Sequence, residues 1–139
     1  MDLQRQVRET FRAGGPLSNA TSQFFPREGQ TQMSIAVGRA MEEGGALVVE
    51  AGTGIGKTFA YLVPALLSGE RVLLSTATKA LQDQLFGRDL PCLAEALGVP
   101  VRSALLKGRG SYLCLHRMAL ACMDSEMSDL ATVKTLARI

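Results

Sequence analysis

A glycine-rich octet is the part of this sequence whose residue types and spacing point most directly to chemistry. It follows the Walker A pattern, with alanine at the first position where the strict form has glycine. Its glycines can adopt backbone conformations closed to other residues, so that bare N–H groups can wrap phosphates. Lys57 would place a positive charge on the β- and γ-phosphates, and Thr58 would offer a hydroxyl to Mg²⁺. The predicted ATP site consists of Ala51, Gly52, Thr53, Gly54, Ile55, Gly56, Lys57 and Thr58, with Lys57 and Thr58 as its catalytic residues.

The octet lies between an apolar segment and a helical pattern, as the motif requires. Residues 46–50 form a short, partly β-branched apolar run that predicts a buried parallel strand. Residues 57–67 predict the following helix, whose positive end would point at the phosphates. Further apolar runs at residues 71–75 and 99–106 predict two more strands. Strands that alternate with helices indicate an α/β fold, a parallel sheet with helices on both faces.

Helical periodicity, interrupted by glycine and proline, predicts the remaining elements. In residues 29–43, Met33, Val37 and Met41 form one apolar stripe. The other predicted helices cover residues 1–13, 79–86, 90–97, 111–123 and 125–139, and a loop is predicted over residues 16–28.

The bulk composition limits the class of protein. The chain has 139 residues, enough for one domain with a core, and its apolar and charged fractions are those of ordinary globular proteins. A net charge of +2 is too small to argue for nucleic acid or a membrane. Because no apolar stretch could cross a bilayer and the N-terminus lacks the apolar core of a signal peptide, the predicted location is cytoplasmic. The helical pattern that continues to Ile139 predicts a fragment of a longer protein.

Three cysteines, Cys92, Cys114 and Cys122, make an odd count in a chain without an export signal. This count argues against a disulfide framework. Each cysteine fits an ordinary core position, and one or two of them also fit a metal or cluster ligand.

Four segments, in order, resemble the motifs of one helicase group. Phe25-Pro-Arg-Glu-Gly-Gln-Thr-Gln-Met33 is similar to a Pro-Arg-x-x-Gln-x-x-Met element, and residues 50–65, which contain the octet, resemble motif I. Residues 74–85 resemble motif Ia, and residues 106–117 resemble the segment with the first cysteine of an iron–sulfur cluster. The chain thus resembles the DinG/YoaA/XPD-type superfamily 2 iron–sulfur DNA helicases. The resemblance implies a partial RecA-like P-loop NTPase domain, truncated at its C-terminus.

Further site residues are implied by this resemblance. Gln30 maps onto a glutamine that contacts adenine, and Arg27 belongs to the same nucleotide-binding element. An amide suits an adenine edge, although glutamine also fits a polar helix start. Thr76, Thr78 and Gln82 map onto the segment that follows the backbone of single-stranded DNA, where hydroxyls and amides are ordinary phosphate contacts. A helix N-cap is the alternative for the threonines, and both roles can coexist.

The cluster-like segment implies that Cys114 is one ligand of a 4Fe-4S cluster whose other three ligands lie beyond residue 139. Cys92 and Cys122 are then expected to pack in the core. The basic residues near Cys114 would favour cluster thiolates or form a solvated face: Lys107, Arg109 and Arg117. The implied domains are an N-terminal lead-in at residues 1–28, the first part of the helicase ATP-binding domain at residues 29–110, and the start of an iron–sulfur insertion at residues 111–139.

The implied function is that of an ATP-dependent DNA helicase moving 5′ to 3′ in DNA repair. The protein would be a monomer that hydrolyses ATP with Mg²⁺ to move along single-stranded DNA. It would not bind a membrane, and repair or replication proteins would be its candidate partners. No Asp-Glu-x-His sequence supplies the Walker B acid that hydrolysis needs, so this chain alone is not expected to unwind DNA. Another P-loop NTPase or kinase, and a nucleotide-binding remnant without turnover, remain open.

Overall fold

The computed structural model describes residues 2–20 and 24–123, and most of them are helical. In this part of the chain the α-helices are α1 Leu3–Phe11, α2 Pro16–Ala20, α3 Glu28–Glu43, α4 Lys57–Leu67, α5 Lys79–Gln84, α6 Leu90–Leu97 and α7 Leu115–Met123. A π-helical turn, Leu85–Asp89, joins α5 to α6, and a 3-10 turn, Arg109–Ser111, precedes α7. The chain divides into two compact units, Met1–Ala104 and Leu105–Ile139.

The helices predicted around the octet are confirmed. Those over residues 29–43, 57–67 and 90–97 appear as α3, α4 and α6, within one residue at each end. Local signals explain the agreement, because Gly44 ends α3 and Gly98, with φ 64°, closes α6 in a left-handed conformation. No helix among the described residues is long and apolar enough to cross a membrane.

Three other helical segments differ in extent from the prediction. The predicted loop at residues 16–28 contains α2, which begins at Pro16, a first helical position where the missing N–H of proline has no consequence. The helix predicted over residues 79–86 stops being α-helical at Gln84 and continues as the π-helical turn. The helix predicted over residues 111–123 is α-helical only from Leu115, because residues 112–114 have no helical structure. The helix predicted over residues 125–139 lies outside the described residues.

The three predicted strands are not observed, since the described residues contain no β-strand. Residues 46–50, 71–75 and 99–106 have no regular structure there. Some of their apolar side chains face outward, with Val48 96% and Leu73 93% exposed. A strand is stabilised when its N–H and C=O groups pair with a neighbouring strand and one of its faces is buried. An apolar run by itself provides neither the neighbouring strand nor the buried face. The predicted parallel sheet is therefore not confirmed.

The core of the first unit lies where α4 meets α1, α3 and α6. Spacing of four residues places one face of α1 in this core, through Leu3, Val7 and Phe11. Burying a side chain of this size stabilises the fold by about 1.5–3 kcal/mol. The largest fully buried side chains are Phe11, Leu62, Leu93, Val7, Val63, Pro64 and Ser34. Residues 1–28, predicted as a lead-in, thus contribute α1 to the core that supports α4.

The face that α3 buries is one of small residues. The predicted stripe is only half-buried: Met33, Val37 and Met41. The buried line is instead Gln30, Ser34 and Gly38. A Cβ at Gly38 would lie 3.6 Å from Leu3 Cγ and 3.8 Å from Pro64 Cβ, so α1 and α4 both approach α3 closely at this point. Small side chains occupy the crossing, and the larger apolar ones flank it.

Candidate nucleotide-binding site

The octet forms a turn in front of α4 in which two glycines are left-handed. Gly54 has φ 82° and Gly56 has φ 87°. Such a conformation costs a residue with a Cβ about 1–2 kcal/mol. Gly56 is the N-cap of α4, so Lys57 and Thr58 stand in its first turn. The positive end of the helix dipole and its free N–H groups therefore lie at the loop, as a phosphate site requires.

The ammonium group of Lys57 is held by the loop itself. Its Nζ donates hydrogen bonds to the carbonyl oxygens of Ala51 and Gly52, each at 2.7 Å. Both partners are neutral, so the positive charge remains available to an anionic ligand. Gly52, Thr53 and Gly54 are exposed at the tip of the loop. A phosphate group that binds there could replace the two carbonyl oxygens as the hydrogen-bond acceptor of Lys57 Nζ, because hydrogen bonds from lysine to phosphate are among the strong ones.

Two side chains at the start of α3 reach the same loop. The Arg27 guanidinium donates to the carbonyl oxygen of Gly54. Gln30 Nε2 donates to the carbonyl oxygen of Gly56 at 2.9 Å, and Gln30 is only 4% exposed. A Cβ at Gly56 would collide with the Gln30 amide. The structure thus brings both predicted nucleotide-site residues of α3 onto the octet, and the contact of Gln30 with adenine stays a prediction.

A tyrosine on α4 lies beside the predicted magnesium ligand. Tyr61 follows Thr58 by one helical turn. Burial raises the pKa of Tyr61, a side-chain hydrogen bond with Thr58 opposes that shift, and the charge of Asp89 adds to it. Asp89 is itself buried and accepts hydrogen bonds from Gln84 Nε2 at 2.8 Å and Arg88 Nε at 3.0 Å. Sequence reasoning did not single out Tyr61, and only its position three residues after Thr58 could have drawn attention to it.

The residues predicted to contact DNA gather at the start of α5. Thr78 is the N-cap of this helix, and its hydroxyl accepts a hydrogen bond from the N–H of Leu81 at 3.3 Å. The Thr76 hydroxyl donates to the carbonyl oxygen of Thr78 at 3.2 Å. Thr78 is exposed, whereas Thr76 and Gln82 are half-buried. The N-cap alternative is therefore observed for Thr78, and the DNA contacts of all three residues stay predictions.

The cysteines differ from their predicted surroundings. Cys92 on α6 is exposed, so its predicted core position is wrong: the next residue, Leu93, takes the buried place, and a neighbour on a helix points about 100° away. Cys114, just before α7, is exposed. The side chain of Cys122 lies outside the described part. Within the described ranges, no group of three or more His, Cys, Asp and Glu side chains could hold a metal ion.

The basic residues near Cys114 belong to the second unit. Arg109 and Arg117 are exposed, as in the solvated-face alternative, and Lys107 is half-buried. The N–H of Lys107 donates to the Tyr112 hydroxyl at 2.9 Å, which fixes the turn ahead of Cys114.

The arrangement around the octet is that of a P-loop nucleotide-binding protein. The glycine loop has left-handed residues, and a lysine and a threonine lie in the first turn of the helix that follows it. An arginine and a glutamine donate hydrogen bonds to the carbonyl oxygens of the loop. The family model described as DEAD/DEAH box helicase matches residues 30–118, well over half of the chain. The chain therefore belongs to the DEAD/DEAH box helicase family.

Several curated relatives are similar to this chain. It is 45% identical to the ATP-dependent DNA helicase YoaA of Haemophilus influenzae over 139 residues, 100% of this chain and 22% of the relative. It is 52% identical to YoaA of Escherichia coli over 128 residues, 90% of this chain and 20% of the relative. It is 49% identical to the ATP-dependent helicase DinG of Mycobacterium tuberculosis over 111 residues, 74% of this chain and 17% of the relative. The chain spans about a fifth of the length of these relatives. No solved structure matches it significantly.

Proposed function

We propose that this chain is the ATP-binding portion of an ATP-dependent DNA helicase of the DinG/YoaA type. The whole enzyme would hydrolyse ATP to move 5′ to 3′ along single-stranded DNA, and it would act in DNA repair. The observation that carries the proposal is the phosphate loop, with Lys57 held at its base and two left-handed glycines before α4. Membership of the helicase family and the names of the curated relatives support the choice of DNA helicase over other P-loop enzymes.

Different residues of this chain would bind different parts of MgATP. The loop N–H groups and Lys57 would hold the β- and γ-phosphates, and Thr58 would coordinate Mg²⁺. Arg27 and Gln30 would complete the nucleotide site from α3, with Gln30 at the adenine by resemblance to the family element. The acid that positions the attacking water would come from another part of the helicase.

The other proposed contacts lie away from the octet. Thr76, Thr78 and Gln82, around the start of α5, would contact the backbone of single-stranded DNA, which carries no base information. Cys114 would provide one thiolate to a 4Fe-4S cluster, and its exposure fits a ligand that meets three others from elsewhere in the enzyme.

The test compares two lysines that occupy the same position in different helices. Lys57 is the first residue of α4, and Lys79 is the first residue of α5. In a calorimetric titration with MgATP, Lys57→Ala should lower the affinity by about tenfold or more, because a charged hydrogen-bonding group on the phosphates is lost. Lys79→Ala should bind MgATP like the wild type. Unchanged affinity in Lys57→Ala would remove the octet from the nucleotide site.

A further inference from the structure

One buried charge of the first unit has no part in the proposed ATP chemistry. Asp89 is only 4% exposed, and it ends the π-helical turn, which contacts α4. Both of its carboxylate oxygens are held, one by Gln84 Nε2 at 2.8 Å and the other by Arg88 Nε at 3.0 Å. A carboxylate is costly to bury even when it is paired, and an apolar side chain often stabilises the fold equally well. The burial of this charge, in a π-helical turn of the kind that is frequent at functional sites, therefore indicates a role beyond packing.

Tyr61 connects this aspartate to the first turn of α4. Tyr61 follows Thr58 by three residues, so the two side chains are neighbours on the helix surface, and their hydroxyls are joined by a hydrogen bond. Burial and the charge of Asp89 both raise the pKa of Tyr61, so the carboxylate is close enough to act on the phenol hydroxyl. The three side chains thus form a connected polar set that runs from the start of α4 to the π-helical turn.

The hydroxyl of Thr58 suits a magnesium ligand best in one of its two possible arrangements. Mg²⁺ is usually bound by one or two protein oxygens together with phosphates and waters, and a hydroxyl in the first turn of α4 fits this donor set. A hydroxyl has one hydrogen and two lone pairs. When Thr58 donates its hydrogen to Tyr61, both lone pairs stay available to the cation. When Thr58 instead accepts from Tyr61, one lone pair is used and its own hydrogen can point toward the cation.

The charge of Asp89 favours the first arrangement. Hydroxyl dipoles orient in the electric field of the protein, and a nearby carboxylate attracts the hydrogen of the phenol. The Tyr61 oxygen then presents a lone pair to Thr58. We propose that Tyr61 is a positioning residue that accepts the hydrogen of Thr58 and so directs the lone pairs of Thr58 to Mg²⁺, and that the buried Asp89 fixes Tyr61 in this orientation. The proposal rests on the proposed function and specifies how its magnesium ligand is prepared.

The experiment separates the metal from the nucleotide. ATP is titrated calorimetrically into the wild type and Tyr61→Phe, once with saturating Mg²⁺ and once with EDTA. The substitution keeps the aromatic ring and removes only the hydroxyl. It should lower the affinity for ATP with Mg²⁺ by about three- to tenfold, as expected for one hydrogen bond, and leave the affinity in EDTA unchanged. Equal losses under both conditions would show a structural effect and overturn the proposal, as would no loss under either.

A double-mutant cycle tests whether Tyr61 acts through Thr58. Thr58→Val removes the hydroxyl but keeps the branched shape of the side chain, and by itself it should reduce the gain in ATP affinity that Mg²⁺ provides. Because Tyr61 works only through this hydroxyl, Tyr61→Phe should have no further effect on that gain in the Thr58→Val background. Losses that simply add would overturn the proposal.

Asp89→Asn tests the origin of the orientation. Removing the charge should lower the affinity for ATP with Mg²⁺ by about twofold or more and leave the affinity in EDTA unchanged. The control is Asp83→Asn, the same change of charge at an exposed position of α5, which should bind ATP like the wild type under both conditions. A folded Asp89→Asn that also binds like the wild type would overturn the role of Asp89, and the Tyr61 cycle decides alone if this variant does not fold.

Failure of the proposed function would look different from failure of this proposal. If the octet is not a nucleotide site, the wild type binds ATP neither with Mg²⁺ nor in EDTA. If the wild type binds ATP equally well under both conditions, the nucleotide site stands and the positioning of Thr58 for Mg²⁺ is overturned.

Discussion

The carboxylate of Glu42, near the end of α3, accepts a hydrogen bond at 2.8 Å from the backbone N–H of Leu3 at the start of α1. The other carboxylate oxygen accepts from Gln4 Nε2 at 3.0 Å, and Asp2 caps the N–H of Gln4 at 3.0 Å. The first N–H groups of a helix have no partner within it, so Glu42 satisfies one of them from another helix. A negative charge is also favoured at this helix end. The contact ties α1 to the α3 and α4 core that supports the phosphate loop.

This contact predicts a loss of stability in acid. The hydrogen bonds from the Gln4 side chain and the Leu3 backbone lower the pKa of Glu42 below its ordinary value of 4.5. A group with a lowered folded-state pKa stabilises the fold above its unfolded pKa and loses that contribution as the pH falls through its folded pKa. Thermal unfolding from about pH 7 to about pH 3 should therefore show a smaller acid-induced drop in Tm for Glu42→Gln than for the wild type. Glu43→Gln is the control, because it removes a charge from the same helix end without touching α1. Parallel curves of Tm against pH for the wild type and Glu42→Gln would contradict the prediction.

The second prediction concerns Gly56→Ala. The new Cβ would collide with the Gln30 amide and would also strain a residue at φ 87°. We expect the free energy of unfolding to fall by about 1–2 kcal/mol or more, and MgATP affinity to fall with it. Gly29→Ala is the control, because Gly29 lies within α3 and an added Cβ there meets nothing within 4 Å. That substitution should be neutral or stabilise by up to about 1 kcal/mol, and equal losses in the two variants would refute the steric argument.

The third prediction is that removing a buried hydroxyl stabilises the fold. Ser34 on α3 is fully buried, and its Oγ has no hydrogen-bond partner among the residues that the structure describes. An unsatisfied buried polar group costs about 1–3 kcal/mol, and alanine is also the better helix former. Ser34→Ala should raise the urea midpoint of unfolding. Ser68→Ala, which removes a hydroxyl that donates to the carbonyl of Ala65 at 2.9 Å, should lower that midpoint instead. A lower midpoint for Ser34→Ala would show that this hydroxyl has a partner in solution.

The fourth prediction uses the tyrosine beside Thr58. Burial raises the pKa of Tyr61 above its ordinary value of 10.0. With a folded-state pKa above the unfolded one, the stability that Tyr61 contributes is present below about pH 10 and is lost as the pH rises through the folded pKa. Tyr61→Phe should therefore lose less stability than the wild type between about pH 9 and about pH 11.5 in denaturant titrations. If Tyr61→Phe follows the wild-type curve, burial does not govern this hydroxyl.

Local patterns in the sequence were enough to predict the octet, the helices around it and the family. The conformations of Gly54 and Gly56 follow from their residue type, since a left-handed turn before a helix needs glycine. The ends of α3 and α6 follow from Gly44 and Gly98 in the same way. Each of these features depends on residues within a few positions of one another.

Only the tertiary structure decided which long-range contacts form. An apolar run at residues 46–50 or 71–75 predicts burial in a sheet, but a strand depends on partners distant in the chain, and the described residues contain no strand. The pairing of Gln30 with Gly56 and of Glu42 with Leu3 spans 26 and 39 residues and carries no local signal. The sequence alone thus determined the chemistry of the phosphate loop. The packing of α3 against α1 and α4 decided which side chains of α3 reach the phosphate loop. This packing depends on the small residues of α3 that let the helices approach each other.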